Sequence, residues 1–237
     1  MMAVILAGGL GTRLKPFTVS IPKPLLPLGE TSILEIVVKQ LVSCGFDRIV
    51  MTLGYMAPIF PSILGDGSKY GIRIDYIKEE TPLGTAGSLR LIKDHEENFL
   101  VMNADILTTL NYRDLLDVHV RQGAYGTISV TKREAKIDYG VVEIDEEGLL
   151  ASFREKPVLS YEVSMGINVL SKECVAYIPH DRKFDMPDLM LTMKNDGKKV
   201  YCYRTDCYWQ DIGRFDDYQK ASEDFVTEPA RYLGRGK

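Results

Sequence analysis

The chain reads as an α/β protein built on a mostly parallel sheet covered on both faces, and three observations predict it. Residues 3–6, 48–53 and 99–102 are short, almost uninterrupted apolar runs, as expected of strands buried on both sides. Segments with helical spacing or helix-stop signals separate them. The first run empties directly into Gly8, Gly9 and Gly11, a strand-to-helix turn.

The elements follow in order. Ser32-x-x-Glu35 predicts a capping box, after which Ile33, Ile36, Val37 and Leu41 share one helical face until Gly45 stops it. Residues 48–53 form the next buried strand. Pro58 and Pro61 interrupt the following crossover, which is therefore expected to be short or irregular. Residues 72–78 alternate as a strand, 86–93 read as a short helix, and 99–102 make a strand that ends at Asn103. Beyond Gly123 the strands lengthen and partly alternate, over 127–132, 139–144, 149–154 and 163–170, which predicts a mixed extension that builds a pocket wall. Residues 1–227 are expected to be one domain, with 1–122 and 123–227 as its two halves. Residues 228–237 are a short polar tail, read as a free end or a subunit contact.

Composition sets bounds on function. With 237 residues the chain can bury a sizeable core, and a formal charge of −4 gives no basic surface for nucleic acid. No apolar stretch reaches membrane-spanning length, and residues 2–6 are too short for a signal peptide, so a cytoplasmic protein with no membrane partner is expected. Cys44, Cys174, Cys202 and Cys207 lack metal-ligand spacing and are expected to be idle thiols. His95, His119 and His180 stand in polar contexts and are expected to face solvent, so no Ser/His/Asp triad is visible. The aromatic run Tyr201, Tyr203, Tyr208 and Trp209 is expected to pack against the sheet or to serve an oligomer interface.

The glycine turn carries the chemistry. Gly8, Gly9 and Gly11 lack the Cβ atoms that would keep a ligand off the backbone, so their N–H groups can turn toward an anion. Arg13 adds a planar, permanently charged fork suited to phosphate oxygens. The pattern is neither a P-loop, which needs Gly-Lys-Ser/Thr, nor a dinucleotide fingerprint, because Leu14 stands where glycine is required. Ten residues on, Pro22-Lys23-Pro24 presents a second cation on what is expected to be a stiff, extended segment. Two rigid cations close together are costly unless an anion lies between them.

These residues, taken with later blocks, resemble the nucleotide-sugar pyrophosphorylases, the sugar-1-phosphate nucleotidylyltransferases. The blocks are Leu6-Ala-Gly-Gly-Leu-Gly-Thr-Arg13, Pro22-Lys23-Pro24-Leu25, Glu79 with Pro82 to Gly87, Asn103-Ala-Asp105, Tyr139-Gly140, Phe153-Arg-Glu155-Lys156-Pro157 and Trp209-Gln-Asp211-Ile-Gly213. They occur in the family's order and span most of the chain, and their wording is most similar to mannose-1-phosphate and heptose-1-phosphate guanylyltransferases. The resemblance implies a Rossmann-like three-layer α/β/α fold, without the C-terminal β-helix some members carry, and a homo-oligomer such as a dimer or tetramer.

The implied reaction is attack by a sugar-phosphate oxygen on the α-phosphorus of a nucleoside triphosphate, with expulsion of pyrophosphate. Both reactants are anionic, so the protein must cancel repulsion and hold the groups in line. The resemblance assigns Arg13, Lys23 and Asp105 to catalysis, and Asp105 with Asp211 to Mg²⁺, a hard ion normally shared between carboxylates and phosphate oxygens. Each aspartate alone could equally be a strand-end or turn residue. Leu6, Ala7, Gly8, Gly9, Gly11, Thr12, Glu79, Pro82, Gly84 and Thr85 are expected around the nucleotide; Gly140, Glu155, Lys156 and Asn168 around the sugar phosphate. Glu79 can accept from the N1–H and N2–H₂ edge of guanine, which favours GTP over UTP, CTP or dTTP, although it could be only a solvated charge at a strand end. Met165 and Asn168 leave the sugar open. Two other classes stand beside this reading: a protein that holds a nucleotide sugar without turning it over, and an enzyme using another acceptor, such as phosphocholine or a molybdenum cofactor.

Overall fold

Strand β1 (Met2–Ala7) lies within a seven-stranded sheet in the computed structural model, which describes residues 1–233. Its side chains divide by parity, as a strand's must. Ala3, Ile5 and Ala7 enter one core, while Met2 and Val4 enter the other. After the glycine turn, β2 (Pro27–Leu28) and β3 (Thr31–Ser32) form a small antiparallel pair that leads into α1 (Ile33–Ser43). The predicted capping box is present: Glu35 N–H donates to Ser32 Oγ at 3.2 Å, and Ser32 N–H donates to Glu35 Oε2 at 3.3 Å.

β4 (Arg48–Leu53) is followed by α2 (Ile59–Leu64), six residues long, as its two prolines require. β5 (Arg73–Lys78), β6 (Asn98–Asn103), β7 (Ile106–Thr108) and α3 (Tyr112–Gln122) complete the first half. Between β5 and β6 the expected short helix is a 3₁₀ turn over Gly87–Leu91. The second half contains β8 (Gly126–Lys136), β9 (Val141–Ile144), β10 (Leu150–Arg154), β11 (Val158–Ser171), α4 (Met186–Asn195), β12 (Val200–Arg204), β13 (Trp209–Asp211), α5 (Phe215–Thr227) and α6 (Pro229–Leu233).

The central sheet has the order β12-β8-β11-β6-β1-β4-β5. β1 pairs in parallel with both β4 and β6, and β11 alone runs against its neighbours β6 and β8. The chain thus leaves β1 for one side of the sheet and later returns on the other, which opens a crevice at the carboxyl ends of β1 and β6. α1, α2 and α3 cover one face; the Gly87–Leu91 turn and α4 cover the other. The three-layer α/β/α reading therefore holds. The predicted extension is the far part of β8 and β11, joined by the separate β9–β10 hairpin.

Two expectations are corrected. His119 is fully buried: its Nδ1 lies 2.8 Å from Thr127 Oγ1 and its Nε2 lies 3.0 Å from Asn98 Oδ1. His95 is half-buried against the Phe99 ring, and only His180 of the three is exposed. Both buried rings gain polar or aromatic neighbours that come from other elements. The start of the tail is also packed. α6 lays Tyr232 into a third core beside Tyr208 and Phe225, so a polar composition hid one anchoring ring. The Arg235 and Lys237 positions lie outside the described residues.

Candidate active site

Two adjoining cavities open at the carboxyl ends of β1 and β6. The first, about 420 Å³, is lined by all ten residues expected around the nucleotide, together with Arg13, Lys23 and Asp105. The second, about 400 Å³, is lined by Asn168, Met165, Trp209 and Asp211. Leu6, Thr85 and Asn103 belong to both walls, so the cavities share a boundary.

The glycine turn is shaped by close approaches. A Cβ at Gly54 would stand 2.7 Å from the Gly8 carbonyl oxygen, so glycine there lets β4's end run against the loop. Gly11 takes φ +60°, and its carbonyl accepts from Thr18 Oγ1 at 2.8 Å. Leu14 is buried and anchors the short 3₁₀ turn that carries Arg13. The Arg13 guanidinium lies 3.4 Å from where a Cβ on Gly213 would stand, so the two ends of the chain meet at this charge. Lys23 is not on an extended segment, as its prolines suggested. Lys23–Leu25 is a 3₁₀ turn closed by Leu25 N–H to Pro22 O at 2.9 Å, which buries the lysine stem.

Lys23 pairs with Asp105 Oδ2, and the other oxygen, Asp105 Oδ1, is buried without a hydrogen-bond partner. The β7–β13 pairing brings Asp211 alongside: Asp211 faces Ile106, and Ile212 N–H donates to the Asp105 carbonyl at 3.0 Å. Burial and the nearby Asp105 charge push the Asp211 carboxyl above its usual range, against the pull of Lys23 and Arg13. Two carboxylates that repel one another, one with an orphaned oxygen, fit a divalent cation whose remaining ligands are phosphate oxygens. Among the described residues no cluster of three or more His, Cys, Asp or Glu side chains offers a closed protein cage.

Glu79 divides its two oxygens. Oε2 accepts from Leu83 N–H at 3.1 Å and holds the 82–87 turn, while Oε1 faces the glycine loop, 3.1 Å from where a Cβ on Gly8 would stand. Burial raises the pKa of this carboxyl, partly offset by the Leu83 hydrogen bond.

Sequence reasoning missed Thr52, Ser88, Lys183 and Asp185, all of which line the first cavity. Thr52 Oγ1 and Ser88 Oγ are buried without partners, the kind of wall polarity a ligand can satisfy. Neither has a local signal, since one lies inside a strand and the other in an apolar turn. Gly140, Glu155 and Lys156 are exposed on and beside the β9–β10 hairpin and line neither cavity. A Cβ at Gly140 would meet Phe153 and Glu155, so these residues do cluster with one another.

In sequence and in fold the chain is similar to known nucleotidyltransferases. A mannose-1-phosphate guanyltransferase of Schizosaccharomyces pombe is 36% identical over 92% of this chain and 62% of its own length. A UTP–glucose-1-phosphate uridylyltransferase of Synechocystis is 34% identical over 93% of this chain and 62% of its own. The chain thus spans under two thirds of the length of these curated relatives. Among solved structures, HddC from Yersinia pseudotuberculosis superposes with a TM-score of 0.73 at 29% identity, covering 94% of this chain and 99% of that one. HddC is also known as a complex with GMP-PN, which superposes with a TM-score of 0.71. No helix among the described residues is long and apolar enough to cross a membrane. With residues 2–228 matched by the nucleotidyl transferase family model, the chain belongs to that family, among relatives that act on sugar 1-phosphates.

Proposed function

We propose that the protein joins a nucleoside triphosphate, GTP in preference, to a sugar 1-phosphate of mannose or heptose type, forming a nucleotide sugar and pyrophosphate. The observation that carries this is the meeting of two cavities at one charged seam. Arg13 and Lys23 stand on the glycine-loop side, and Asp105 and Asp211 stand one on each wall.

In this reading the triphosphate fills the first cavity, with its base toward Glu79 and Gly84 and its phosphates toward the glycine loop. The sugar phosphate enters the second cavity, beside Asn168 and Trp209. A phosphate oxygen of the sugar forms the new bond to the α-phosphorus, and the bond to the departing pyrophosphate breaks on the opposite side. Arg13 favours the crowded, highly charged phosphorus centre, and Lys23 offsets charge on the α-phosphate or the leaving group. Asp105 and Asp211 would hold Mg²⁺, which supplies charge neutralisation and alignment when bound. Gly140, Glu155 and Lys156 are assigned to the sugar phosphate, a role that requires the hairpin bearing them to approach the second cavity.

Support for guanine comes from the Glu79 carboxylate and the guanylyltransferase relatives; the uridylyltransferase relative keeps UTP as the second reading. Pyrophosphate release measured over a grid of GTP, UTP, CTP and dTTP against several sugar 1-phosphates, with Mg²⁺, tests both. Release with GTP and mannose or heptose 1-phosphate supports the proposal. Equal use of all four triphosphates removes the base assignment, and no release with any pair favours a binding protein.

A further inference from the structure

The turn that borders the expected base site is held from outside its own half of the chain. Residues 183–186, which lead into the first turn of α4, run beside residues 83–87 and close a ladder of contacts. Phe184 N–H donates to the Leu83 carbonyl at 2.9 Å, and the Phe184 carbonyl accepts from Ala86 N–H at 3.0 Å and Gly87 N–H at 2.9 Å. Asp185 Oδ1 accepts from Thr85 N–H at 3.0 Å, and Met186 N–H donates to Thr85 Oγ1 at 2.7 Å. Gly84 takes φ +86°, and a Cβ there would stand 2.5 Å from the Phe184 carbonyl oxygen. The two segments therefore touch too closely for any other residue at 84.

Most of this ladder is main chain to main chain, which any sequence can supply. Asp185 is different, since its side chain supplies the acceptor for Thr85 N–H. Thr85 lies on the shared wall of both cavities, and Asp185 itself lines the first. An acceptor with full negative charge makes a stronger bond to an N–H than a neutral one does. It fixes where Gly84 and Thr85 present their backbone.

We propose that Asp185 is a positioning residue for the nucleotide, acting through Thr85 and the 82–87 turn, and that it sets affinity for the triphosphate without entering the chemistry. This rests on the nucleotidyl-transfer reading above. Loss of the bond lets the turn relax, so the nucleotide meets a less ordered wall while the charged seam at Arg13, Lys23 and Asp105 is untouched.

The test is steady-state kinetics on Asp185→Ala and Asp185→Asn, with Asp188→Ala as a control for the helix end. Asp188 Oδ2 accepts from Asp185 N–H at 3.4 Å at the start of α4 and shares no hydrogen bond with Thr85, so its loss loosens the helix end while the Asp185 side chain keeps its bond to Thr85. Removing a charge-assisted bond is worth about tenfold or more, so Asp185→Ala should raise KM for the triphosphate by about tenfold. It should leave kcat and KM for the sugar phosphate within about twofold. Asp185→Asn, which keeps an acceptor, should recover most of the loss, and Asp188→Ala should not raise the triphosphate KM. An unchanged KM in Asp185→Ala, an equal rise for both substrates, or the same rise in Asp188→Ala overturns the proposal. If the wild-type protein releases no pyrophosphate with any pair, the catalytic reading fails by itself. Calorimetric binding of GTP to the same variants then decides the positioning role, with weakened binding in Asp185→Ala alone supporting it and equal binding overturning it.

Discussion

Lys23 and Asp105 form an ion pair that uses only one of the two carboxylate oxygens, leaving Asp105 Oδ1 buried and unpartnered beside Asp211. An orphaned carboxylate oxygen in a half-buried wall is costly unless a ligand completes it. Asp105→Asn should therefore lower kcat by about 10²–10³-fold, the range seen when a charge-stabilising group is removed. It should also raise the Mg²⁺ concentration needed for half-maximal rate. Pyrophosphate release across a Mg²⁺ titration measures both, and an unaltered curve would remove Asp105 from the metal site.

Arg13 reaches across to Gly213, so its charge sits where the ends of the chain converge. Arg13→Ala is expected to cut kcat by about 10²–10³-fold while changing sugar-phosphate KM by far less, because the charge is needed chiefly at phosphorus. Rates at saturating substrate separate the two. A rise in sugar-phosphate KM with full kcat would place Arg13 on the wrong substrate.

Glu79 gives a pH prediction. Burial raises its pKa, so the ionised form that could accept from guanine is lost at a higher pH than for an ordinary glutamate. GTP affinity should therefore weaken as pH falls through that raised value, and Glu79→Gln should remove the dependence while raising GTP KM by about tenfold or more. The stability sign is opposite. A raised carboxyl value costs the fold stability as pH rises through it, so Glu79→Gln should not destabilise at neutral pH. A GTP KM that is flat with pH in the wild-type protein would sink the assignment.

His119 gives a second, independent pH effect. Burial pushes its imidazole down to about 4, so the folded protein prefers the neutral ring. Its stabilising contribution is complete above the unfolded value near 6.5 and is lost as pH falls through about 4. Melting temperature should drop between pH 7 and pH 5, and His119→Gln should show a shallower drop from a lower starting point. Parallel slopes in the two proteins would show that other groups govern acid stability.

Much of the first cavity's lining was legible because its signals are local. Three glycines at the end of an apolar strand and one arginine need no distant partner to declare a tight turn, whereas the prolines around Lys23 suggested an extended segment where the chain makes a 3₁₀ turn. The Ser32–Glu35 capping box and the shortened α2 were legible for the same reason, since caps and prolines act within one helical turn. Asp185 was not, because Thr85 is 100 residues away and nothing near position 185 hints at it. His119 was misread because a polar neighbourhood in sequence resembles solvent, whereas its partners Asn98 and Thr127 reach it through the fold.

The amino-acid order by itself determined the alternation of strands and helices, the glycine turn and the inventory of charges, since these follow from short-range sterics and side-chain periodicity. Tertiary structure alone decided that β7 and β13 would set Asp105 beside Asp211, that the 183–186 segment would brace the 82–87 turn, and that Gly140, Glu155 and Lys156 would stand clear of both cavities. Those outcomes depend on which distant backbones pair, and pairing is chosen by the burial of whole faces rather than by any one residue.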